Sequence, residues 1–381
     1  MKQLPFGKPI IDDNEKKAVL DVLNGPILVH GTKAKQFENN FSMYTEAKYA
    51  VSVSSCTAAM HLAYFNLNLK SGDEVIVPAQ THTATAHAVE LCGAKPIFID
   101  SERDTGNINI DQVESSITSN TRAIAVVHYL GMPVDMKRIK SIAQKYDLFI
   151  LEDCALAIGT YFNNIHAGLF GDVGCFSFYP VKHMTTAEGG MLVTQNEEIA
   201  QAISRKKAFG VDRTISERQI PGVYDVNMLG LNYRMNEIQA ALGIEQLKKI
   251  DFFHTKRKKN FDFLYKGLSE FDELYLFKSS YGLFQSSYYC LSAVLTDSIV
   301  NKRYEIIQEL KRKGIGTSIY YPKPVPHMTY YQKKYGYPRN SFPVASEISY
   351  CSIAFSVGPH LDTEDMIYIL NSMKTILKGI K

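Results

Sequence analysis

Seven short apolar runs, separated by stretches with helical spacing, occupy the first half of this 381-residue chain and constrain its fold more than any other feature. They predict strands over 49–54, 74–78, 96–99, 123–128, 148–152, 175–178 and 191–194. Helical spacing fills most of the intervals, namely 58–67, 84–92, 110–117 and 136–146. Near-continuous apolar strands that alternate with helices indicate an α/β fold, with a mostly parallel sheet covered on both faces.

The pattern changes after about Asn236. A long helical region runs from Glu237 through Leu247 and past Phe263, and shorter mixed segments follow it before a last helix over 363–377. This arrangement is typical of a smaller α/β domain joined by a connecting helix. We therefore predict a large domain over residues 1–250, which includes an N-terminal helical segment, and a smaller C-terminal α/β domain over residues 251–381.

Composition excludes several classes of function. Hydrophobic residues make up 45% of the chain and charged residues 21%, which is typical of a soluble globular protein. The net charge is only +3, and the one dense basic cluster, at 256–259, is predicted to be the solvated face of a helix, so we expect no nucleic-acid partner. The six cysteines lack metal-ligand spacing, which favours reduced thiols and no metal site. With neither a signal core nor a membrane-spanning run in the sequence, we expect a cytoplasmic protein without a membrane partner.

Two strand ends carry the residues that indicate chemistry. Lys182 comes two residues after Pro180, just beyond the strand that ends at Phe178, and Asp153 ends another apolar strand. Ligands of α/β proteins bind beyond the carboxyl ends of the strands. There a neutral lysine can form a Schiff base, and an acid can hold a pyridinium nitrogen, which are the two groups that pyridoxal phosphate (PLP) requires. The alternatives are a solvated loop lysine and an aspartate that caps a helix.

A carboxylate would have a large effect on such a ring. At ~4 Å from a pyridinium nitrogen, with an effective dielectric near ~20, the attraction is about 4 kcal/mol. That energy corresponds to ~3 pK units, which keeps the ring nitrogen protonated at neutral pH. A protonated ring is the electron sink that stabilises a carbanion next to the imine.

Two further strand-to-helix junctions supply candidates for binding. The first strand passes through hydroxyl residues into a helix near Thr57, where free N–H groups and the helix dipole suit a phosphate. Thr57 could equally be a helix N-cap. The second strand leads to His82, which either stacks on a flat cofactor ring or makes only local hydrogen bonds.

Taken together, five ordered motifs carry a resemblance to a known family. They are Ser55-Cys56-Thr57-Ala58-Ala59, Glu152-Asp153, Phe176-Ser177-Phe178 with Lys182 four residues on, Glu188-Gly189-Gly190 and Gly230-Leu231-Asn232-Tyr233-Arg234-Met235. Over nearly its whole length the chain resembles the DegT/DnrJ/EryC1/StrS family of PLP-dependent sugar-nucleotide aminotransferases. The resemblance implies the type I aminotransferase fold, with a seven-stranded, mostly parallel sheet in the large domain.

The resemblance also implies roles for individual residues. Lys182 holds PLP and moves a proton, Asp153 pairs with the ring nitrogen, and His82 takes the place of an aromatic residue that stacks on the ring. The phosphate would be bound by Cys56, Thr57, Ala58 and Ser177, and by Asn232 of the other subunit, so a homodimer with shared active sites is expected. Residues in loops that border the site are the candidates for binding the sugar nucleotide, namely His30, Arg213, Tyr321 and His327.

The function implied is a transamination. L-glutamate gives its amino group to PLP to form pyridoxamine phosphate, which aminates a keto group, most simply at C4, of a nucleotide-linked 4-keto-6-deoxy sugar. The sequence departs from the family pattern at two positions, and the segment Ser352-Ile353-Ala354-Phe355-Ser356 matches the usual family ending only loosely. Cys56 replaces a glycine and requires a negative φ there, and Leu156 replaces a glutamine that contacts the ring hydroxyl. A sugar 3-dehydratase and a non-catalytic PLP-binding regulator remain alternatives, although His183 follows the lysine here and does not replace it.

Overall fold

The computed structural model describes residues 2–212, 220, 222–296 and 298–380, so Arg213 lies outside the described residues. The helices are α1 (Asp13–Leu23), α2 (Thr32–Thr45), α3 (Cys56–Asn66), α4 (Thr83–Leu91), α5 (Met136–Tyr146), α6 (Glu197–Lys206), α7 (Glu237–Leu247), α8 (Ile250–Leu268), α9 (Arg303–Arg312), α10 (Thr329–Tyr335), α11 (Pro343–Cys351) and α12 (Thr363–Ile380). The strands are β1 (Tyr49–Val53), β2 (Glu74–Pro78), β3 (Lys95–Ile99), β4 (Thr121–Val127), β5 (Phe149–Asp153), β6 (Tyr161–Phe162), β7 (Ile165–His166), β8 (Val173–Ser177), β9 (Gly190–Thr194), β10 (Leu274–Leu276), β11 (Phe284–Gln285), β12 (Leu291–Leu295), β13 (Thr317–Ser318) and β14 (Ser352–Phe355).

A seven-stranded sheet in the order β1-β9-β8-β5-β4-β2-β3 forms the centre of the molecule. Its pairings are parallel from β8 through β5, β4 and β2 to β3, while β9 runs antiparallel to both of its neighbours. Helices cover both faces, and the inner strands β5, β8 and β9 are buried along almost their whole length. Because β5 and β8 are parallel neighbours, Asp153 and the loop that carries Lys182 leave the sheet at the same edge.

Two smaller sheets follow. The antiparallel sheet β10-β12-β14-β13 packs against α8, α9 and α12, and a core that includes Leu264, Ile306, Phe355 and Met373 fills the space between them. The strands β11-β6-β7 make a three-stranded sheet at the side of the large one. No helix in the described part of the chain has the length and apolar character needed to cross a bilayer.

The seven predicted strands and the α/β class are confirmed, with ends that differ by one or two residues. Two helix predictions were wrong. Residues 110–117 form two short 3-10 turns, Ile110–Gln112 and Glu114–Ser116, and the long helix after Glu237 is two helices, α7 and α8. The break falls at Lys248 and Lys249, where the chain leaves one helix and a new one begins.

The basic cluster at 256–259 also differs from its prediction. Lys258 and Lys259 are exposed, but Arg257 is 6% exposed and donates from Nη1 to the carbonyl oxygen of Tyr289, at 2.8 Å. An arginine in the middle of a charged run can therefore lie inward when the helix face beneath it meets backbone acceptors.

The N-terminal segment connects distant parts of the molecule. Leu4 pairs with Ile315, which comes just before β13 of the four-stranded sheet. A Cβ atom on Gly7 would lie 2.7 Å from the side chain of Val181, the residue before Lys182. Farther on, the carbonyl oxygen of Ile10 accepts a hydrogen bond from Gln246 on α7. The division at residue 250 stays a prediction, and the first residues of the chain lie against its C-terminal part.

Candidate active site

Asp153 is the last residue of β5 and is 4% exposed. Its Oδ1 accepts the backbone N–H of Ala155 at 3.1 Å, and its Oδ2 accepts the hydroxyl of Thr85 at 2.7 Å. No helix follows Asp153 directly, so the alternative in which it caps a helix was wrong; the Ala155 bond closes a turn. Among the described residues Asp153 has no ion-pair partner, and a buried carboxylate with two donors keeps acceptor capacity for a cationic ring N–H.

Lys182 lies in the loop that follows β8, where its backbone N–H donates to the carbonyl oxygen of Tyr179. Its Nζ lies 5.6 Å from the centre of the Tyr289 ring. Burial lowers the pKa of the Lys182 ammonium, and the Asp153 carboxylate opposes that effect. Burial therefore enlarges the neutral fraction that can attack an aldehyde. Lys182 is half-buried, so it differs from the fully solvated loop lysine of the alternative.

The first turn of α3 has backbone N–H groups that a ligand can approach closely. Ser55, and not Thr57, is the N-cap, and its hydroxyl accepts the N–H of Ala58 at 3.0 Å. The N–H groups of Cys56 and Thr57 begin the helix and have no carbonyl partner inside it. Cys56 lies within the helix and is not among the residues with positive φ, so it meets the condition for replacing glycine. Ser177, at the end of β8, is 7% exposed.

His82 makes the local hydrogen bond of one alternative, and its stacking on a cofactor ring stays a prediction. As the N-cap of α4 it accepts the N–H of Ala84 on Nδ1, at 3.1 Å. Its ring is nevertheless exposed and lies edge-on to Tyr321, with 5.7 Å between the ring centres. Burial of its inner side lowers the pKa of His82, and the Lys182 ammonium adds to this shift, so the neutral imidazole is favoured as a flat surface.

The remaining predicted residues are more scattered. Tyr321 is 9% exposed, and the Asp153 charge contributes to the raised pKa of its hydroxyl, which places it at the site. Asn232 is exposed on a segment that pairs with Ala208. His30 is exposed with a φ of 64°, and His327 packs on Phe342 with 6.1 Å between ring centres. No hydrogen bond or ring contact joins His327 to Lys182 in the described part of the structure.

Sequence reasoning missed the residues that support this site. Gln80 is buried, and its amide donates to the carbonyl oxygen of Tyr320 at 2.8 Å and accepts from the Ser349 hydroxyl at 2.8 Å. No sequence signal identifies such long-range pairs. Thr85 could have been found, because it follows Thr81 by one helical turn directly after a buried strand.

Glu152 is fully buried beside the site and belongs to the framework. Its carboxylate accepts from His128 Nε2 at 3.0 Å and from the backbone N–H groups of Gly168, Phe170 and Gly171. His128 and Cys154 lie close enough to Glu152 to suggest metal ligands. However, Nδ1 of His128 accepts the N–H of Val134, and both Glu152 oxygens hold backbone donors. These atoms are occupied in holding the loop behind β5.

A PLP molecule fits the donors that are present. Lys182, whose pKa is lowered, lies in the electric field of the buried Asp153, and Asp153 has no cationic partner among the described residues. The N-terminus of the buried helix α3 lies at the same edge of the sheet. This combination, on a seven-stranded sheet with a single reversed strand, defines a PLP-dependent enzyme of the type I aminotransferase fold.

Comparison with known proteins narrows this class. The sequence profile of the DegT/DnrJ/EryC1/StrS aminotransferase family matches residues 9–374, and the chain belongs to that family. GDP-perosamine synthase of Escherichia coli O157:H7 is 34% identical over 375 residues, 98% of each chain. The spore coat polysaccharide biosynthesis protein SpsC of Bacillus subtilis is 34% identical over 381 residues, 99% of this chain and 97% of SpsC.

Solved structures agree. The Streptococcus pneumoniae protein Spr1654, assigned as a sugar aminotransferase, superposes in its pyridoxamine phosphate form with a TM-score of 0.94 at 28% identity, over 100% of both chains. Its PLP form gives a TM-score of 0.93. The protein is therefore a PLP-dependent aminotransferase in a family of sugar aminotransferases.

Proposed function

We propose that the protein transfers the amino group of L-glutamate to the C4 keto group of a nucleotide-linked 4-keto-6-deoxy sugar, and so makes an amino sugar for a surface polysaccharide. The observation that carries the amino-transfer chemistry is the half-buried Lys182, whose ammonium lies in the field of the Asp153 carboxylate. The sugar-nucleotide acceptor is supported by family membership and by relatives named for a GDP-linked product and for a coat polysaccharide.

The coenzyme, when bound, supplies the electron sink on which an amino group is exchanged. Lys182 holds it and, because its pKa is lowered, also accepts and returns the proton at the reacting carbon. Asp153 keeps the ring nitrogen protonated by charge. The backbone N–H groups of Thr57 and Cys56 bind phosphate oxygens, together with Ser177 and with the N–H of Ala58, which the phosphate shares with the Ser55 hydroxyl. His82 covers one face of the ring.

Substrate contacts are assigned to the loops around this pocket. Tyr321 lies beside His82 and is positioned to touch the sugar, whereas His30, His327 and Arg213 are assigned to outer contacts with the nucleotide.

Asn232 reaches the phosphate in a neighbouring subunit, so that a homodimer shares its two sites. In support of such an interface, Asn232 is exposed near a group of exposed apolar side chains, namely Phe209, Val223, Tyr224, Val226 and Leu229.

The structure favours transamination over sugar dehydration. In the dehydratases a histidine stands in place of the lysine, but His183 is 2% exposed and its Nε2 lies 3.1 Å from the carbonyl oxygen of Ser287, to which it donates. That bond engages the imidazole with the backbone, and position 182 itself keeps its lysine, so we assign the reactive group to Lys182.

The test is to incubate the purified protein with PLP, ¹⁵N-glutamate and a panel of UDP-, dTDP- and GDP-linked keto sugars. Mass spectrometry should show one nucleotide sugar that gains a ¹⁵N amine, and Lys182→Ala should abolish the gain. Release of ammonia with loss of a sugar hydroxyl would indicate the dehydratase instead. A Lys182→Ala protein that retains the full biological effect would indicate a regulator.

A further inference from the structure

Asp153 is held by a chain of two threonine hydroxyls. Thr81 Oγ1 lies 2.7 Å from Thr85 Oγ1, and Thr85 Oγ1 lies 2.7 Å from Asp153 Oδ2. Both threonines are 0% exposed and Asp153 is 4% exposed, so water does not compete for these bonds. The other oxygen of the carboxylate is held only by the N–H of Ala155 among the described residues.

The direction of this chain follows from the chemistry of its members. An ionised carboxylate can only accept, so the single hydroxyl proton of Thr85 points to Asp153. The bond between the two threonines must then be donated by Thr81. The result is a chain of two hydrogen bonds, from Thr81 to Thr85 and from Thr85 to Asp153. A hydrogen bond donated to a carboxylate stabilises the carboxylate.

Thr85 is unusual among helical threonines in what its hydroxyl contacts. A threonine inside a helix commonly returns its hydroxyl to a backbone carbonyl one turn earlier. Here the hydroxyl reaches across 68 residues of sequence to the end of β5. The backbone of Thr85 is fixed as well, since its N–H donates to the carbonyl oxygen of His82 at 3.2 Å. One turn of α4 thus fixes both the acid and the ring of His82.

We propose that Thr85, supported by Thr81, is a positioning residue that orients the Asp153 carboxylate toward the ring nitrogen of PLP. The inference rests on the proposed role of Asp153 in coenzyme binding. In this proposal Thr85 acts through one carboxylate oxygen of Asp153 and is assigned no contact of its own with the coenzyme or the substrate. Its β-branched side chain has few rotamers, which suits a fixed donor.

Thr85→Val removes the hydroxyl and keeps the shape, and Thr85→Ser keeps the hydroxyl. Titration of apoprotein with PLP, followed by absorbance, should give a Kd about 10-fold higher for Thr85→Val, which is the scale of one lost bond to a charged group. Thr85→Ser should stay within ~3-fold of wild type. In an Asp153→Asn background, Thr85→Val should have a clearly smaller effect, because the Thr85 hydroxyl then donates to a neutral amide oxygen and not to a charged carboxylate.

A wild-type Kd for Thr85→Val, or a loss that Thr85→Ser shares, would overturn the proposal. So would equal effects of Thr85→Val in the wild-type and Asp153→Asn backgrounds, since a purely structural threonine would behave that way. If circular dichroism shows that Thr85→Val does not fold, Thr81→Val replaces it in the double-mutant cycle with Asp153→Asn. Thr81→Val should raise the Kd for PLP by ~3-fold, and this rise should disappear in the Asp153→Asn background. Wild-type protein that binds no PLP would overturn the proposed function as well, whereas the other outcomes leave it standing.

Discussion

Gly190, the first residue of β9, lies so close to Cys56, the first residue of α3, that a Cβ atom at position 190 would fall 2.5 Å from the Cys56 nitrogen. The same atom would meet the carbonyl carbon of Ser55 at 2.4 Å. Both contacts are with backbone, which cannot turn aside as a side chain can. The glycine at position 190 of the Glu188-Gly189-Gly190 motif is therefore explained by the need to seat the N-terminus of α3 against the reversed strand of the sheet.

We expect Gly190→Ala to displace the first turn of α3 and to lower the free energy of unfolding by about 1–3 kcal/mol, as overpacking does. The affinity for PLP should fall with it, because the N–H groups of this turn are the proposed phosphate donors. Thermal unfolding and PLP titration measure the two effects. Gly379→Ala is the matched control, since a Cβ atom there meets nothing within 4 Å and lies in α12, where alanine is favourable. Equal behaviour of the two variants would contradict the close-packing argument.

The lowered pKa of Lys182 makes the stability of the apoprotein depend on pH. Between the folded pKa and ~10.4, the unfolded chain binds more protons at this residue than the folded chain, so its contribution to stability rises with pH. Lys182→Met removes that titration while keeping an unbranched side chain. We expect Lys182→Met to be more stable than wild type at neutral pH, and this advantage to shrink toward pH ~10.4.

Urea unfolding of both apoproteins across pH measures that difference directly. An advantage that is constant, or that grows with pH, would mean that burial does not lower the pKa of Lys182. Whatever the pH dependence, we expect the Lys182→Met variant to lose the coenzyme on gel filtration, because it has no amine to hold it.

Gln80 should control the loop that carries Tyr321. Gln80→Leu leaves the buried hydroxyl of Ser349 without its acceptor and removes a donor to the carbonyl oxygen of Tyr320. We expect a loss of about 1–3 kcal/mol in unfolding free energy. We also expect a KM for the sugar substrate that rises more than kcat falls, if Tyr321 contacts the sugar. Gln201→Leu, at an exposed position that bonds Glu197 on the same helix, is the control and should change neither quantity.

Asn232 tests whether the active site is shared between subunits. Asn232→Ala should weaken PLP binding, and Lys182→Ala should be inactive. When the two variants are mixed under conditions that allow subunit exchange, the heterodimer has one site with both Lys182 and Asn232 intact. At limiting PLP, activity above that of either variant alone is expected in the mixture, and its absence despite heterodimer formation would place Asn232 outside the partner's site.

Tertiary structure corrected the sequence reading mainly where a residue's partner lies far along the chain. The run at 256–259 predicted a solvated helix face, but the carbonyl oxygen of Tyr289 draws Arg257 inward. The helix after Glu237 breaks at Lys248 although the periodic pattern continues. Hydrophobic periodicity in the sequence shows which face of a helix or strand is apolar. It does not show which polar groups a distant segment of the chain will place against that face.

The sequence by itself determined the class of fold, and it indicated the two groups to which we assign the chemistry. The strands were predictable because buried parallel strands are continuously apolar, and Lys182 and Asp153 were predictable because each follows the end of such a strand. The residues that surround and orient these groups were decided only by the tertiary structure. The Thr85 bond to Asp153, the position of Tyr321 beside His82 and the close approach of Gly190 to Cys56 all join elements that are separate in sequence. Such contacts depend on how helices and strands pack, which local patterns do not encode.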